Sequence, residues 1–209
     1  MKVLMINGSP HPNGNTFLAL DEMRKVFDKE GVESEILTIG NKAIRGCIAC
    51  GSCAAKKKCV FDDEVNEAAE IFKESDGIVI GSPVYYASAN GTLISFLDRL
   101  FFSTQMGGRF DKTMKVGASV VIARRGGLSA TFDELNKYFT MNCMAVAASQ
   151  YWNSAHGREQ GEVLKDEEGM QTMRTLAKNM TFLMRSIALG KEKYGLPEKE
   201  EWIGTHFIR

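Results

Sequence analysis

Short segments with β-strand patterns alternate with longer helical segments along this 209-residue chain, and that alternation is the strongest constraint on its fold. Residues 3–6 and 77–81 are apolar or small throughout, as in central strands of a parallel sheet that is covered on both faces. The strand patterns span residues 3–6, 33–39, 77–81, 116–123 and 143–151. The helical patterns span residues 15–30, 62–73, 91–104, 129–141 and 167–189. This order predicts an α/β fold, a doubly wound five-stranded parallel sheet with helices on both faces.

The composition fits one domain without a charge bias, because 26 Lys and Arg residues balance 26 Asp and Glu residues. A chain of this length can bury one well-packed core. The neutral balance predicts no nucleic-acid partner. No apolar run reaches the roughly 18–20 residues of a membrane span. We therefore expect one domain over residues 1–190, with a cysteine-rich insertion at 40–61 and a charged C-terminal tail at 191–209.

A cytoplasmic location is predicted by the N-terminus and by the cysteines. The first apolar run is too short for the hydrophobic region of a signal peptide and is better explained as a buried strand. The chain has five cysteines, and free thiols persist in a reducing compartment, where structural disulfides are rare.

The segment after the first strand has the composition of a phosphate-binding loop. A phosphate is bound by backbone N–H groups, small polar donors and a helix N-terminus. The candidate residues are Ser9, Pro10, Asn13, Asn15 and Thr16. Residues 7–16 contain neither the Gly-x-Gly-x-x-Gly pattern of dinucleotide sites nor the Gly-Lys-Ser/Thr pattern of triphosphate sites. They also lack Lys and Arg, which favours a monophosphate held by hydrogen bonds. The alternative is an ordinary turn with a Ser or Thr helix cap.

Two loops together resemble the flavin-binding loops of one known family. Residues 7–16, with Asn-Gly-Ser-Pro and Asn-Gly-Asn-Thr, are similar to the phosphate loop of the flavodoxin-like NADPH-dependent FMN reductases. Residues 82–99, from Ser-Pro-Val-Tyr-Tyr to Asp-Arg, resemble the second flavin loop of that family. The resemblance covers roughly residues 1–190 and implies a flavodoxin-like fold that binds FMN.

The same resemblance implies that Pro83, Val84, Tyr85 and Tyr86 line the isoalloxazine ring. Two tyrosines after a proline suit that role because they offer stacking area and polar tips. The alternative is that both tyrosines are ordinary core or interface aromatics.

An Arg-Arg-Gly-Gly sequence follows the fourth strand pattern. Beside the N1/O2 edge of a flavin, Arg124 would stabilise the anionic reduced ring. Gly126 and Gly127 would let backbone amides approach the same edge. The alternative is a solvent-facing basic turn.

Four cysteines occur within thirteen residues, at Cys47, Cys50, Cys53 and Cys59. Disulfides are not expected in the predicted compartment, and a Cys-x-x-Cys redox pair needs only two thiols. Three cysteines at x2 spacing with a fourth near by fit a [4Fe–4S] cluster, because a compact loop can contact several iron corners. Zinc remains an alternative, although structural zinc usually takes two separated pairs. The fifth cysteine, Cys143, is predicted to be an apolar residue buried in the last strand.

The position of this cysteine run, between the second strand and Asp62, closely resembles the iron–sulfur flavoproteins of anaerobic archaea and bacteria. That family has a compact C-x2-C-x2-C motif with a fourth cysteine four to seven residues later, and all four positions match here. The resemblance implies a [4Fe–4S] cluster and an FMN. It also implies an oligomer, here a homodimer or homotetramer, in which the cluster and flavin of neighbouring subunits approach.

The leading functional hypothesis is an FMN-dependent electron-transfer oxidoreductase. Its cluster exchanges electrons with ferredoxin or a similar carrier, and its flavin passes them to a small-molecule acceptor. No side chain is assigned a covalent catalytic role. The first alternative is an NAD(P)H-dependent reductase of FMN, quinones or nitro compounds without a cluster. The second is a non-enzymatic flavin- or metal-binding module.

Overall fold

A parallel sheet organises the structure, a computed structural model that describes residues 1–201 and 203–205. Its strand order is β2-β1-β3-β5-β6, which is the order 2-1-3-4-5 of flavodoxin-like sheets once the short β4 is set aside. The strands are β1 (Lys2–Asn7), β2 (Glu33–Thr38), β3 (Gly77–Tyr85), β4 (Ser88–Ala89), β5 (Val116–Ala123), β6 (Ala145–Val146) and β7 (Ser154–His156). The predicted five-stranded flavodoxin-like sheet is confirmed.

Helices cover both faces of the sheet, as predicted. They are α1 (Asn15–Lys29), α2 (Ser52–Lys56), α3 (Glu64–Glu74), α4 (Gly91–Met106), α5 (Leu128–Thr140) and α6 (Glu167–Tyr194). Helices α1 and α6 bury one cluster of apolar side chains, and α3, α4 and α5 bury the other. Residues of β1 alternate between these clusters: Val3 enters the first and Leu4 the second. Both faces of a central strand are therefore apolar, which explains its unbroken apolar sequence.

The last strand position is filled by two short strands rather than by the predicted strand at 143–151. Strands β6 and β7 both pair in parallel with β5, and the residues between them leave the sheet. Tyr151 and Trp152 in that loop are more than half exposed. The prediction that Cys143 is buried in this strand is wrong. Cys143 is exposed, with a φ of 55°, in the turn that follows α5.

The final helix continues past its predicted end at residue 189. It runs through Gly190 to Tyr194, with Lys191 and Lys193 in its last turn, where positive charge interacts favourably with the helix dipole. A single Gly costs a helix only about 1 kcal/mol, so packing and charge can carry the helix across it. Residues 202 and 206–209 of the predicted tail lie outside the described residues.

Candidate functional site

A cleft opens where β1, β3 and β5 end, which is the usual position of ligands in open α/β sheets. Its cavity volume is about 470 Å³. We call it the sheet-edge cleft. It is lined by Ser9, His11, Gly14, Asn15, Thr16, Pro83, Val84, Tyr85, Ile122, Ala123, Arg124, Gly157, Arg158, Glu159 and Gln160. The three loops predicted from the sequence thus meet at one site.

The loop after β1 is held in shape by its own polar groups. The backbone N–H of Gly8 donates to the Gly81 carbonyl of β3 at 2.8 Å. The side-chain oxygen of Asn7 accepts from the Ser9 N–H at 3.1 Å, and Ser9 Oγ accepts from the His11 N–H at 3.2 Å. These contacts fix the Ser9 hydroxyl in the wall of the cleft before any ligand arrives.

Helix α1 begins at this cleft with free backbone donors. Gly14 is its N-cap residue and, within the described part of the chain, no side chain caps the helix and no acidic residue occupies its first turn. The first N–H groups of a helix lack partners inside the helix and carry partial positive charge. Thr16, which is only 2% exposed, faces the cleft from this turn. The arrangement suits an anion held without Lys or Arg from the loop.

Two of the predicted phosphate-loop residues contact a distant segment. Asn15 donates from its side-chain amide to the Glu159 carbonyl at 2.9 Å and accepts from the Gly161 N–H at 2.9 Å. The Asn13 carbonyl accepts from the Gln160 side-chain amide at 3.2 Å. Residues 157–160 are thereby fastened over the start of α1 and become one wall of the cleft. Apart from Gly157, which follows the last strand pattern, these residues were not singled out from the sequence.

The tyrosine loop after β3 is a tight hairpin. Strand β4 pairs antiparallel with the end of β3, and Tyr86 and Ala87 form the two-residue turn with φ values of 52° and 60°. Pro83, Val84 and Tyr85 line the cleft, whereas Tyr86 is fully exposed at the tip. Glu134 of α5 holds the hairpin by accepting from the Ala89 N–H at 2.8 Å. One tyrosine thus faces the cleft and the other faces solvent at its rim.

The loop after β5 contributes one cation to the cleft. Arg124 lines it and is exposed. Gly126 and Gly127 lie outside the cleft lining, as do Pro10, Asn13 and Tyr86. Gly127 has a φ of 89°, and an ideal Cβ there would lie 2.8 Å from a methyl carbon of Val84. Its role in the structure is to let α5 start close against the tyrosine hairpin.

The four clustered cysteines line one small cavity, which we call the cysteine cavity. Its volume is about 20 Å³. It lies against α4 and shares no lining residue with the sheet-edge cleft. Its lining consists of Cys47, Ile48, Cys50, Gly51, Cys53, Cys59, Val60, Phe61, Arg99, Phe102 and Ser103. Four cysteines that span thirteen positions of sequence therefore line one small cavity.

The chemistry of the cysteine cavity fits a sulfur-ligated group. Every metal-binding side chain in its lining is a cysteine, which is the ligand set of iron–sulfur clusters and of some zinc sites. The Ala49 N–H donates to Cys47 Sγ at 3.4 Å, and a hydrogen bond from Ser52 lowers the pKa of Cys50. Among the described residues, however, no three His, Cys, Asp or Glu side chains are grouped closely enough to hold a metal ion. Binding of such a group therefore requires the cysteine side chains to come closer together.

A buried arginine adjoins the cysteine cavity. Arg99 of α4 is 1% exposed and forms a bidentate ion pair with Asp63. Its Nη1 donates to Oδ2 at 2.7 Å and its Nη2 to Oδ1 at 2.8 Å. It also donates to Cys59 Sγ from Nε at 3.3 Å and from Nη2 at 3.2 Å. Burial lowers the pKa of Arg99, but its hydrogen bonds to Asp63 and Cys59 outweigh burial and raise it, so the group is a permanent cation.

No helix in the described ranges 1–201 and 203–205 has the length and apolarity to cross a membrane.

Comparisons with known proteins match this chain to one family. The sequence profile of the NADPH-dependent FMN reductase family matches residues 1–159. An iron–sulfur flavoprotein of Methanocaldococcus jannaschii is 32% identical over 194 residues, which cover 90% of this chain and 99% of the relative. An iron–sulfur flavoprotein of Methanosarcina thermophila is 27% identical over 201 residues, covering 92% of this chain and 100% of the relative.

Among solved structures, RosB with bound 8-demethyl-8-formylriboflavin-5′-phosphate superposes with a TM-score of 0.68. The two chains are 16% identical, and the match covers 100% of this chain and 94% of RosB. At this identity the likeness concerns the fold.

Proposed function

Because this chain belongs to the iron–sulfur flavoproteins within the NADPH-dependent FMN reductase family, we propose that it passes electrons between FMN and a [4Fe–4S] cluster. The sheet-edge cleft would hold FMN, and Cys47, Cys50, Cys53 and Cys59 would hold the cluster. The observation that carries the proposal is that all four cysteines line one cavity. When bound, FMN takes up two electrons as hydride and releases them singly, which suits exchange with a one-electron centre.

The residues of the cleft supply what a flavin monophosphate needs. The first turn of α1, together with Ser9 and Thr16, would donate hydrogen bonds to the phosphate. Pro83, Val84 and Tyr85 offer largely apolar side chains against the ring, and Arg124 would stabilise negative charge on it. Asn15 does not need to contact the phosphate, because its amide keeps residues 157–160 in place.

The family resemblance and the separate linings of the two sites favour an oligomer. The cysteine cavity lies on α4, and the sheet-edge cleft lies at the ends of the central strands, with no lining residue in common. We propose that electrons pass between neighbouring subunits of a homodimer or homotetramer. Exposed Tyr151 and Trp152, whose ring centroids are 5.1 Å apart, offer apolar area for such a contact. A reducing compartment such as the cytoplasm suits five unpaired cysteines.

Anaerobic reconstitution tests the cluster directly. The protein is incubated with iron and sulfide, and iron, sulfide and flavin are counted per chain alongside the absorption and EPR spectra. We expect about four irons per chain and loss of the cluster signal in single Cys→Ser variants at Cys47, Cys50, Cys53 or Cys59. Cys143→Ser is the matched control, since this exposed cysteine lies outside the cysteine cavity. Absence of iron and sulfide after reconstitution would falsify the cluster assignment.

A second candidate is an NAD(P)H-dependent reductase that works without a cluster. It is favoured by the match of residues 1–159 to the profile of the NADPH-dependent FMN reductase family. Anaerobic stopped-flow experiments separate the two candidates by mixing the flavoprotein with NADPH or with reduced ferredoxin. Fast bleaching of the flavin by NADPH alone supports the reductase, and fast reduction only by ferredoxin supports electron transfer through the cluster.

A further inference from the structure

Arg99 is the largest fully buried side chain in the described residues. Its ion pair with Asp63 leaves one edge of the guanidinium free to donate hydrogen bonds elsewhere. Asp63 accepts hydrogen bonds from Nη1 and Nη2, and the Arg45 carbonyl accepts one from Nη1 at 3.3 Å. The remaining edge of the guanidinium, Nε and Nη2, points at Cys59 Sγ. A buried arginine with one carboxylate and one sulfur as partners is positioned to stabilise negative charge on both.

Cys59 differs from the other three cysteines in how firmly it is held. Its backbone N–H donates to the Asn66 side-chain oxygen at 3.0 Å, and its carbonyl accepts from the Asn66 amide at 3.1 Å. Within the described part of the chain, Cys59 alone among them accepts hydrogen bonds from a cationic side chain. The sulfur and the cation therefore keep a fixed relation while the more exposed part of the loop adjusts.

We propose that Arg99 is a positioning residue that raises the reduction potential of the cluster site through its hydrogen bonds to Cys59 Sγ. This inference rests on the proposed function. Reduction adds one electron, hence one negative charge, to a site with a buried cation against one ligand sulfur. Hydrogen bonds to ligand sulfurs and nearby positive charge favour the more negative form, and burial strengthens the effect because water screens it poorly.

Asp63 has the opposite effect on the reduction potential of the cluster site. Its carboxylate offsets part of the Arg99 charge and lies close enough to oppose added negative charge. Replacing Arg99 and replacing Asp63 should therefore shift the potential in opposite directions. Asp63→Asn also preserves the N-cap of α3, where the side-chain oxygen accepts from the Val65 N–H, because Asn caps helices as well as Asp does.

The test is a redox titration of reconstituted protein with dithionite, in which EPR follows the cluster and absorbance follows the flavin. We expect Arg99→Gln to lower the equilibrium constant for cluster reduction roughly tenfold, which is about 59 mV for one electron. The equilibrium constant of Arg99→Lys should lie between those of the wild type and Arg99→Gln. A lysine ammonium keeps the charge but lacks the planar set of donors with which the guanidinium contacts both Asp63 and Cys59. Asp63→Asn should raise the constant. The flavin potential should stay constant in all three, because the sheet-edge cleft contains neither residue.

Arg45→Gln is the matched control. Arg45 lies over the same Phe61 ring as Arg99, at 5.0 Å against 4.9 Å, but no hydrogen bond joins it to a cysteine among the described residues. Arg45 is exposed, so water screens its charge, and its loss should shift the potential far less than the loss of Arg99. An unmoved potential in Arg99→Gln, or an equal shift in Arg45→Gln, overturns the inference.

If Arg99→Gln fails to fold because Asp63 is left unpaired, Asp63→Asn decides the question, and an unchanged or lowered potential there overturns the inference. Normal iron uptake with an unmoved potential refutes this inference alone. A wild-type protein that takes up no iron and sulfide refutes the proposed function and this inference with it.

Discussion

Gly40 lies two residues after the end of β2, and its lack of a side chain lets the phosphate loop approach closely. An ideal Cβ at this position would lie 2.2 Å from the Gly8 carbonyl oxygen and 2.4 Å from the Ser9 carbonyl carbon. Both neighbours are backbone atoms, so they can yield only if the loop moves. The sequence interpretation did not single out Gly40, because the close approach joins two loops that are distant in sequence.

Gly40→Ala should therefore displace the phosphate loop. We expect the free energy of unfolding to fall by about 1–3 kcal/mol, as for other overpacked sites, and FMN affinity to fall at least roughly tenfold. Urea denaturation and fluorescence titration with FMN measure the two effects. Gly190→Ala is the control, since its Cβ would meet nothing within 4 Å and it lies in α6. It should stabilise the protein by about 0.5–1 kcal/mol without changing FMN affinity. Wild-type FMN affinity in Gly40→Ala would contradict the structure of the loop.

Lys112 gives the stability of the protein a dependence on pH. It is 5% exposed, and its Nζ donates to Thr104 Oγ1 at 3.2 Å. Burial lowers its pKa from the ordinary 10.5 to about 8. Between these values the unfolded chain binds more protons than the folded one, so the contribution of Lys112 makes the free energy of unfolding rise with pH.

Lys112→Met should remove this contribution. At pH 7, where both states of the wild type are protonated, the variant should gain about 1–3 kcal/mol of unfolding free energy. The gain should shrink as the pH rises from about 8 toward 10.5, where the wild-type lysine becomes neutral in both states. Urea unfolding at intervals from pH 7 to pH 10 measures this. Lys178→Met, at an exposed lysine of α6, is the control. A gain that stays constant across this range would refute the assignment.

At the scale of elements, the tyrosine hairpin lines the sheet-edge cleft although its turn has an unfavourable backbone conformation. A two-residue turn with two positive φ values suits Asn-Gly, yet Tyr86 and Ala87 occupy it. Ala87→Gly should raise the free energy of unfolding by about 1 kcal/mol and leave FMN affinity unchanged. Tyr86→Ala should scarcely alter stability, since the side chain is fully exposed. It should weaken FMN binding only if the ring at the rim of the cleft packs on the isoalloxazine, as the family resemblance implies. Thermal denaturation and FMN titration of both variants check this. Unchanged FMN affinity in Tyr86→Ala would remove Tyr86 from the flavin site.

The last strand illustrates what a local pattern can and cannot predict. Residues 144–148 are all apolar, and by pattern alone they resemble the continuous central strands. In the structure, α6 supplies partners that the sheet would otherwise provide: Asn179 donates to the Ala148 carbonyl at 2.8 Å, and Ser149 donates to the Thr172 carbonyl at 2.7 Å. These contacts join segments more than twenty residues apart, so no local window of sequence contains them.

At the scale of the whole molecule, the parts of the site that the sequence predicted are local, and the parts that it did not predict depend on contacts between distant segments. The loops after β1, β3 and β5 were predicted because each carries its unusual composition in one short segment. Residues 158–160 were not singled out, because Asn15 holds this wall across 144 residues of sequence. In the sequence, Arg99 was included only as the last residue of the segment that resembles the second flavin loop. Its burial and its contact with Cys59 depend on how α4 packs, which no local pattern shows.

Charge is balanced over the molecule but not around the cysteine cavity. Residues 40–61 contain five Lys and Arg residues and no Asp or Glu, and Lys56, Lys57 and Lys58 are all exposed. A basic surface beside a redox site attracts an acidic protein carrier and speeds its association, typically 10- to 1000-fold at low salt. If an acidic ferredoxin delivers electrons at this surface, ionic strength should affect its reaction far more than the reaction with NADPH.

The triple variant Lys56→Gln, Lys57→Gln and Lys58→Gln tests this. We expect the second-order rate constant for reduction by an acidic ferredoxin to fall about tenfold at low salt. The difference should vanish near 1 M salt, where charges more than about 3 Å apart are screened. The matched control neutralises the exposed Lys29, Lys178 and Lys193, which lie on α1 and α6 and change the net charge equally. Stopped-flow traces across a salt series give both rate constants. An equal loss in the two variants would show that net charge, and not the surface around the cysteine cavity, steers the carrier.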